Sequence, residues 1–193
     1  MNAQFLKKID DERAYRLLNV GATVFVGSCV ADDFDIMAAA WNTALNINPC
    51  RSLVVVDAPH YTRKLIDTSG HFILSVPSVK AASELLYCGS VSKNDNKDKL
   101  KKIVDRLIQL DDLPMPVVDD CLGHLYFKVI KNEVNEKSYD LFMGELVCAY
   151  ADSRYFDGHF KSDVSDDASL SVHYVAGSHC FKLGQEFIPK SIE

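Results

Sequence analysis

Six runs of strand-forming residues, closely spaced and separated by turn chemistry, constrain this chain most. Ala22 to Val30 reads Ala-Thr-Val-Phe-Val-Gly-Ser-Cys-Val, β-branched and aromatic throughout. Asp32-Asp33 supports a turn before a second run, Asp35 to Trp41. Asn48-Pro49 interrupts the chain before Arg51–Val56, whose Ser52-Leu-Val-Val-Val56 suits a strand buried on both faces. His71–Val76 follows, and Pro77 ends it. Leu125–Val134 and Leu141–Tyr150 read as two long strands joined by a hairpin at Asn135–Ser138. Ser171–Gly184 holds either another strand pair or a strand after a loop. Helical signals are fewer. Thr62 as N-cap and Gly70 as stop bracket a helix over Arg63–Ser69. Ser78 starts another toward Tyr87, with Gly89 just beyond, and the polar loop Ser90–Asn96 follows. Lys97–Leu110 has helical spacing at Leu100, Ile103, Val104, Leu107 and Ile108, and Pro114 and Pro116 stop it. A short helix is expected around Asp11–Leu18. Strands outnumber helices and are mostly sequence neighbours. A mainly β fold with peripheral helices, an antiparallel barrel, therefore fits better than an alternating βαβ sheet.

The 193 residues suit a single domain over 1–193, with a lead-in at 1–17 and an acidic, polar loop excursion at 152–169. At 48% hydrophobic and 25% charged, the chain can bury a sizeable core without disulfide staples. Lys and Arg number 21 against 27 Asp and Glu, a net charge of −6, which argues against a nucleic acid as main partner. The N-terminal residues lack an apolar core of signal-peptide length, and no apolar stretch is long enough for a membrane span. Cys29, Cys50, Cys88, Cys121, Cys148 and Cys180 are scattered, without a C-x-x-C pair or zinc spacing. They read as reduced thiols of a cytoplasmic protein.

The familiar nucleotide and nucleophile motifs are missing: no G-x-G-x-x-G after a strand, no G-x-x-x-x-G-K-[ST], no G-x-S-x-G. The six histidines show no H-x-x-x-H or H-E-x-x-H pattern, and His173 with His179 is the weak remaining metal or haem candidate. No side-chain nucleophile stands out, so hard chemistry would fall to a bound cofactor. Asp35, Ile36, Met37, Ala38, Ala39 and Ala40 form a run ending on Trp41, the only tryptophan. Tyr61-Thr62-Arg63-Lys64 places a hydroxyl and two cations at a helix start, where free N–H groups and the helix dipole suit a phosphate.

In order and spacing these segments resemble the flavin reductase-like family, with its FMN-binding split barrel, and the flavoredoxin branch within it. Thr23-Val-Phe-Val-Gly-Ser28 is similar to the first barrel strand, and Asp35 to Trp41 to an Asn-Ile-Met…Trp segment. Tyr61-Thr-Arg-Lys-Leu-Ile66 resembles a Thr/Ser-Arg-Lys-Leu-Ile phosphate segment, and His71-Phe-Ile-Leu-Ser-Val-Pro77 a Glu-Phe-x-Ile-Asn-x-Pro segment. Tyr87-Cys-Gly-x-x-Ser92 with Asp98-Lys99, Phe142-Met-Gly-Glu-Leu-Val147 and the tail Tyr174 to Gly184 complete the likeness, from about residue 18 to 184.

The resemblance implies an antiparallel split β-barrel that binds FMN at a homodimer interface. It would pass electrons from NAD(P)H to a small molecule or a protein acceptor, or serve as an electron carrier without its own NAD(P)H site. It assigns cofactor contacts to Asp35, Ile36, Met37, Ala38, Ala39, Trp41, Thr62, Arg63, Lys64, Ser75, Ser78, Ser92, Lys99 and Tyr174. The residues themselves leave other roles open: Trp41 in the core, Thr62 and Ser78 as helix caps, Lys99 on a solvated helix face and Cys88 in packing. Three departures stand out. Asp35 replaces an Asn, so it sets a negative charge near a flavin unless it points away or is paired. Ser138-Tyr139-Asp140 lacks a His, and Cys180-Phe181 alters the aromatic order of the tail.

Overall fold

The computed structural model describes residues 3–17, 21–161, 166–184 and 189. Its strands, in chain order, are β1 (Leu6–Lys8), β2 (Val24–Val30), β3 (Asp33–Ala39), β4 (Asn42–Asn46), β5 (Arg51–Val55), β6 (His71–Pro77), β7 (Leu107–Ile108), β8 (Val117–Val118), β9 (Cys121–Ile130), β10 (Leu141–Asp152), β11 (Val172–Ala176) and β12 (His179–Lys182). The α-helices are α1 (Asp11–Ala14), α2 (Tyr61–Ser69), α3 (Ala82–Ser90) and α4 (Glu133–Ser138). One antiparallel sheet runs β3-β2-β6-β9-β10-β5-β4, and β1 also pairs with β10. The pairs β7–β8 and β11–β12 stand apart from it.

Two features curl this sheet. First, β10 bends at a bulge between Leu146 and Cys148. Its first residues, Leu141 to Glu145, pair with β5, while Tyr150 to Asp152 pair with β1. Second, β3 and β4 lie at opposite ends of the ladder, yet only Ala40 and Trp41 connect them. That connection spans at most about 11 Å, so the two ends of the sheet must come close. No ladder joins β3 to β4 among the described residues, and the sheet is curled but open.

Both faces are buried along β2, β6 and most of β9, which explains why these runs are so continuously apolar, whereas in β5 only the alternate residues Ser52 and Val54 are buried, short of the two-face burial expected for that strand. Alternate residues enter two separate clusters. Val24, Val26, Phe72, Leu74, Leu125, Phe127 and Phe142 pack on one face. Phe25, Cys29, Ile36 and Ile73 pack on the other, under Leu85 and Cys88 of α3 and the 107–118 segment. Gly144 is needed where Phe72 and Phe127 stack, with ring centroids 5.2 Å apart. A Cβ there would come within 2.6 Å of the Phe127 Cβ.

Several expected elements differ. The hairpin at Asn135–Ser138 is the helix α4, because Asn132 accepts from the Asn135 N–H (3.1 Å) while Glu136 accepts from the Asn132 N–H (2.8 Å). That reciprocal cap outcompetes a tight turn. Lys97–Leu110 is not one α-helix but a kinked 3₁₀ stretch, Lys99–Arg106, running into β7. The lead-in contributes β1, and β4 is an additional strand. Gly89 lies inside α3 rather than after it, since Ser78 caps only the 3₁₀ turn Val79–Ala81. The helix expected at Asp11–Leu18 is α1 followed by a 3₁₀ turn to Leu17, and Leu18 falls outside the described residues. In the 152–169 excursion, of which 162–165 are not described, Tyr155 and Phe156 are buried. The tail carries the strand pair β11–β12.

Candidate functional site

The first turn of α2 is where chain geometry and charge converge. His60 precedes it in extended conformation and gives no side-chain cap. The first N–H groups of a helix have no partners within it, so this end is left open to an anion. At the other end Gly70, at φ 70°, donates its N–H to the Ile66 carbonyl (2.9 Å), the left-handed stop expected from the sequence. Thr62 is not the N-cap. It sits one turn position inside, fully buried, and donates its hydroxyl to Asp35 Oδ2 at 2.7 Å.

Asp35 therefore neither points away nor stands alone. Its Oδ1 lies 3.0 Å from Lys99 Nζ, with both side chains almost wholly enclosed (2% and 1% exposed). The approach is at ion-pair distance but is not aligned as a hydrogen bond, which leaves Oδ1 an unfilled acceptor position. Lys99 is thus a buried cation rather than a residue on a solvated helix face. The Tyr87 hydroxyl, donating to the Lys99 carbonyl at 3.0 Å, fixes its backbone.

This pair lines the inner of two adjoining hollows along β3. The inner one, about 560 Å³ including space open to solvent, also takes in Met37, His60, Tyr61, Thr62, Cys88 and Ser92. The outer one, about 640 Å³, is walled by Thr23, Ala39, Ala40, Leu85, Leu86 and Tyr174. Ala38, Gly89 and Ser90 belong to both, so the two form one cleft. Small residues make it possible. A Cβ on Gly89 would come within 3.1 Å of the Ala38 Cβ, so α3 closely approaches β3 only because that atom is missing. β3 ends the ladder, so one edge of its backbone faces no strand.

The inner end is ringed by cations. Lys64 Nζ donates to Asn94 (2.7 Å), and Asn94 donates to the Pro59 carbonyl (2.8 Å). Lys93 Nζ and the Tyr61 hydroxyl both donate to Asp33 at 2.6 Å, and Lys97 Nζ stands 4.7 Å above the Tyr61 ring. Burial pushes the Asp33 carboxyl up, but these two hydrogen bonds outweigh it and hold its pKa below the ordinary value. Burial pushes the Cys88 thiol up to about 12 despite the opposing charge of Lys99, which disfavours the thiolate.

Eight of the residues expected at a cofactor line the cleft: Asp35, Met37, Ala38, Ala39, Thr62, Ser92, Lys99 and Tyr174. Six do not. Ile36 is buried in the sheet's outer cluster. Trp41 is 72% exposed, so it is neither core nor cleft wall in this chain. Arg63 turns inward and bonds the Val56 and Glu136 carbonyls, Asp67 and Asp140, with its guanidinium 4.6 Å over the Phe142 ring. Lys64 is exposed and tied to Asn94. Ser75 is held by His124 Nδ1 (2.8 Å), and Ser78 by its cap and by the Asp120 carbonyl. Sequence reading missed His60, Leu86 and Ser90 as cleft residues, and the Lys93 and Lys97 cations beside them. His173 Nε2 meets the Ser171 hydroxyl at 3.0 Å. No His, Cys, Asp and Glu grouping suited to a metal exists among the described residues. Nor is any helix there long and apolar enough to cross a membrane.

The model of the flavin reductase like domain matches residues 17–162. An uncharacterized protein of Escherichia coli K12, YddH, is 33% identical over 171 residues, 86% of this chain and 89% of that protein. Among solved structures, an FMN-binding domain of a flavin reductases-like enzyme from Shewanella baltica OS155 superposes with a TM-score of 0.92 at 34% identity, covering 96% of this chain and 97% of that one. Flavoredoxin of Desulfovibrio vulgaris (Miyazaki F) shares the fold at a TM-score of 0.71 and 23% identity, covering 89% and 90% of the two chains. With three quarters of its length under the family model and two relatives above 30% identity over nearly their whole length, this chain belongs to the flavin reductase-like family.

Proposed function

We propose that the protein is an FMN-dependent oxidoreductase of flavin reductase or flavoredoxin type, a split barrel that holds FMN in the β3 cleft. The uncapped start of α2, opening into the same cleft as buried Lys99, carries this reading. The residues fit the cofactor in three respects. The N–H groups of the first α2 turn and Lys99 suit the phosphate. Asp35 Oδ1, buried and without a hydrogen bond, suits a hydroxyl of a polyol chain. The alanine floor, Leu86 and Tyr174 suit an aromatic ring system, and the free edge of β3 offers backbone donors and acceptors to its polar rim.

FMN, when bound, supplies the hydride and electron chemistry. The chain binds and orients it, sets the local charge, and leaves one side of the cleft to an electron donor, NAD(P)H, and to a small or protein acceptor. The Shewanella domain, described as FMN-binding and 34% identical, supports the cofactor assignment. Exposed Trp41, Leu45 and Ile47 around β4 support a homodimer, and six free cysteines suit a reducing cytoplasm.

The absorption spectrum of the purified protein tests the reading. The two visible bands of oxidised flavin are expected, with FMN recovered on heating and the bands bleached on rapid mixing with NADH or NADPH. A colourless protein that fails to bind added FMN refutes it. Bound FMN that neither nucleotide bleaches would assign an electron carrier instead.

A further inference from the structure

We infer that Asp35 sets the affinity for the phosphate end of FMN by cancelling the charge of Lys99. The inference rests on the FMN reading above. Among the described residues, Lys99 and Asp35 are the only oppositely charged side chains that both line the inner hollow, and both are almost fully enclosed. Every other cation near this end is exposed or is paired outside the hollow, as Lys64 is with Asn94 and Lys93 with Asp33. The arriving phosphate therefore meets a buried cation already paired with a carboxylate at 3.0 Å.

In so enclosed a place a unit charge acts strongly on its neighbours, because little water screens it. The Thr62 hydroxyl, donating to Asp35 Oδ2, fixes the carboxylate so that it cannot swing away from the ammonium. The pair is neutral overall, and attraction for the phosphate comes mainly from the α2 N–H groups.

Titration of apo-protein with FMN and, in parallel, with riboflavin, which lacks the phosphate, tests this. Three variants give the pair net charges of +1, −1 and 0: Asp35→Asn, Lys99→Met and the double substitution. FMN affinity is expected to rise about tenfold or more in the first and to fall about tenfold or more in the second, the scale of a charge neighbour within a few ångströms. The double variant is expected within a few-fold of the natural protein, and riboflavin affinity, which keeps any polyol contact at position 35 but lacks the phosphate, should not follow the net charge of the pair. FMN affinity that ignores the net charge, or riboflavin moving in step with FMN, overturns the inference and leaves the FMN reading standing. No FMN binding by the natural protein overturns both. Should Asp35→Asn not fold, because it strands a buried ammonium, Lys99→Met against the double variant decides between the same two outcomes.

Discussion

His124 makes this protein sensitive to acid in a pH window above that of its carboxylates. It lies on β9, fully enclosed, with Nδ1 2.8 Å from the Ser75 hydroxyl and Nε2 without a partner. Burial pushes its pKa down from 6.5 to about 3, since the imidazolium would lie in the sheet's interior without water or a counter-charge. Between those values the unfolded chain takes up a proton that the folded chain refuses. The unfolded state binds more protons there, so stability rises with pH across the window and is lost as pH falls. The contribution is complete above about pH 6.5. At pH 5 the unfolded state has gained RT ln(1 + 10^1.5), roughly 2 kcal/mol. His71 and His173 are also pushed down by burial and act with the same sign, so the natural protein alone cannot isolate the effect. Carboxylates held below their ordinary values, such as Asp166, release stability only below about pH 4. The assay is urea denaturation from pH 8 to pH 5 of the natural protein and of His124→Gln. The variant starts lower at pH 8 because the packing changes. What decides is the fall between the two pH values, expected to be about 2 kcal/mol smaller in the variant. Parallel curves would show that His124 titrates normally and that its burial does not exclude the proton.

Arg63→Met should destabilise the protein by about 2–3 kcal/mol, because it leaves two buried carbonyls without a donor and removes the partner of part-exposed Asp140, while FMN affinity of the folded fraction changes little. Urea denaturation read beside FMN titration checks this, and a large loss of affinity with little loss of stability would return Arg63 to the phosphate. Gly89→Ala should be nearly neutral for folding, since Ala favours the helix as the tightened contact opposes it. By wedging α3 from β3 it should weaken FMN binding by about 1 kcal/mol, and unchanged binding would show that the cleft does not depend on that approach.

The strands that form the middle of the sheet are legible in the sequence because their signals are local. β2 and β6 are short apolar runs bounded by turn residues, and burial on both faces leaves no alternation to misread; β5 is marked by its composition, although only its alternate residues Ser52 and Val54 are buried. The α2 stop is legible from Gly70 alone. β4 escapes because Asn-Thr-Ala-Leu-Asn is a half-exposed edge strand with one partner, so neither composition nor period marks it. β1 escapes because its pairing partner, the end of β10, comes some 140 residues later, and nothing local in Leu-Lys-Lys shows that. In α4, Asn135–Ser138 has the composition of a turn, but the decisive signal is Asn132 and Glu136 capping each other.

The site is legible as a place rather than as a set of contacts, and helix geometry explains the difference. Thr62, Arg63 and Lys64 are consecutive, so each points about 100° away from the last, and neighbours one or two apart on a helix do not face a common partner. The structure sends Thr62 to the cleft, Arg63 inward beneath Phe142 and Lys64 out to Asn94. Of the three, only the Thr62 hydroxyl stays on the cleft side here. Sequence order can locate an anion site at the start of α2, since the free N–H groups follow from the helix itself. In the function proposed above, the charged partner in the cleft comes from another element, Lys99 beyond α3 in the chain, whose pairing with Asp35 is visible only once the chain has folded.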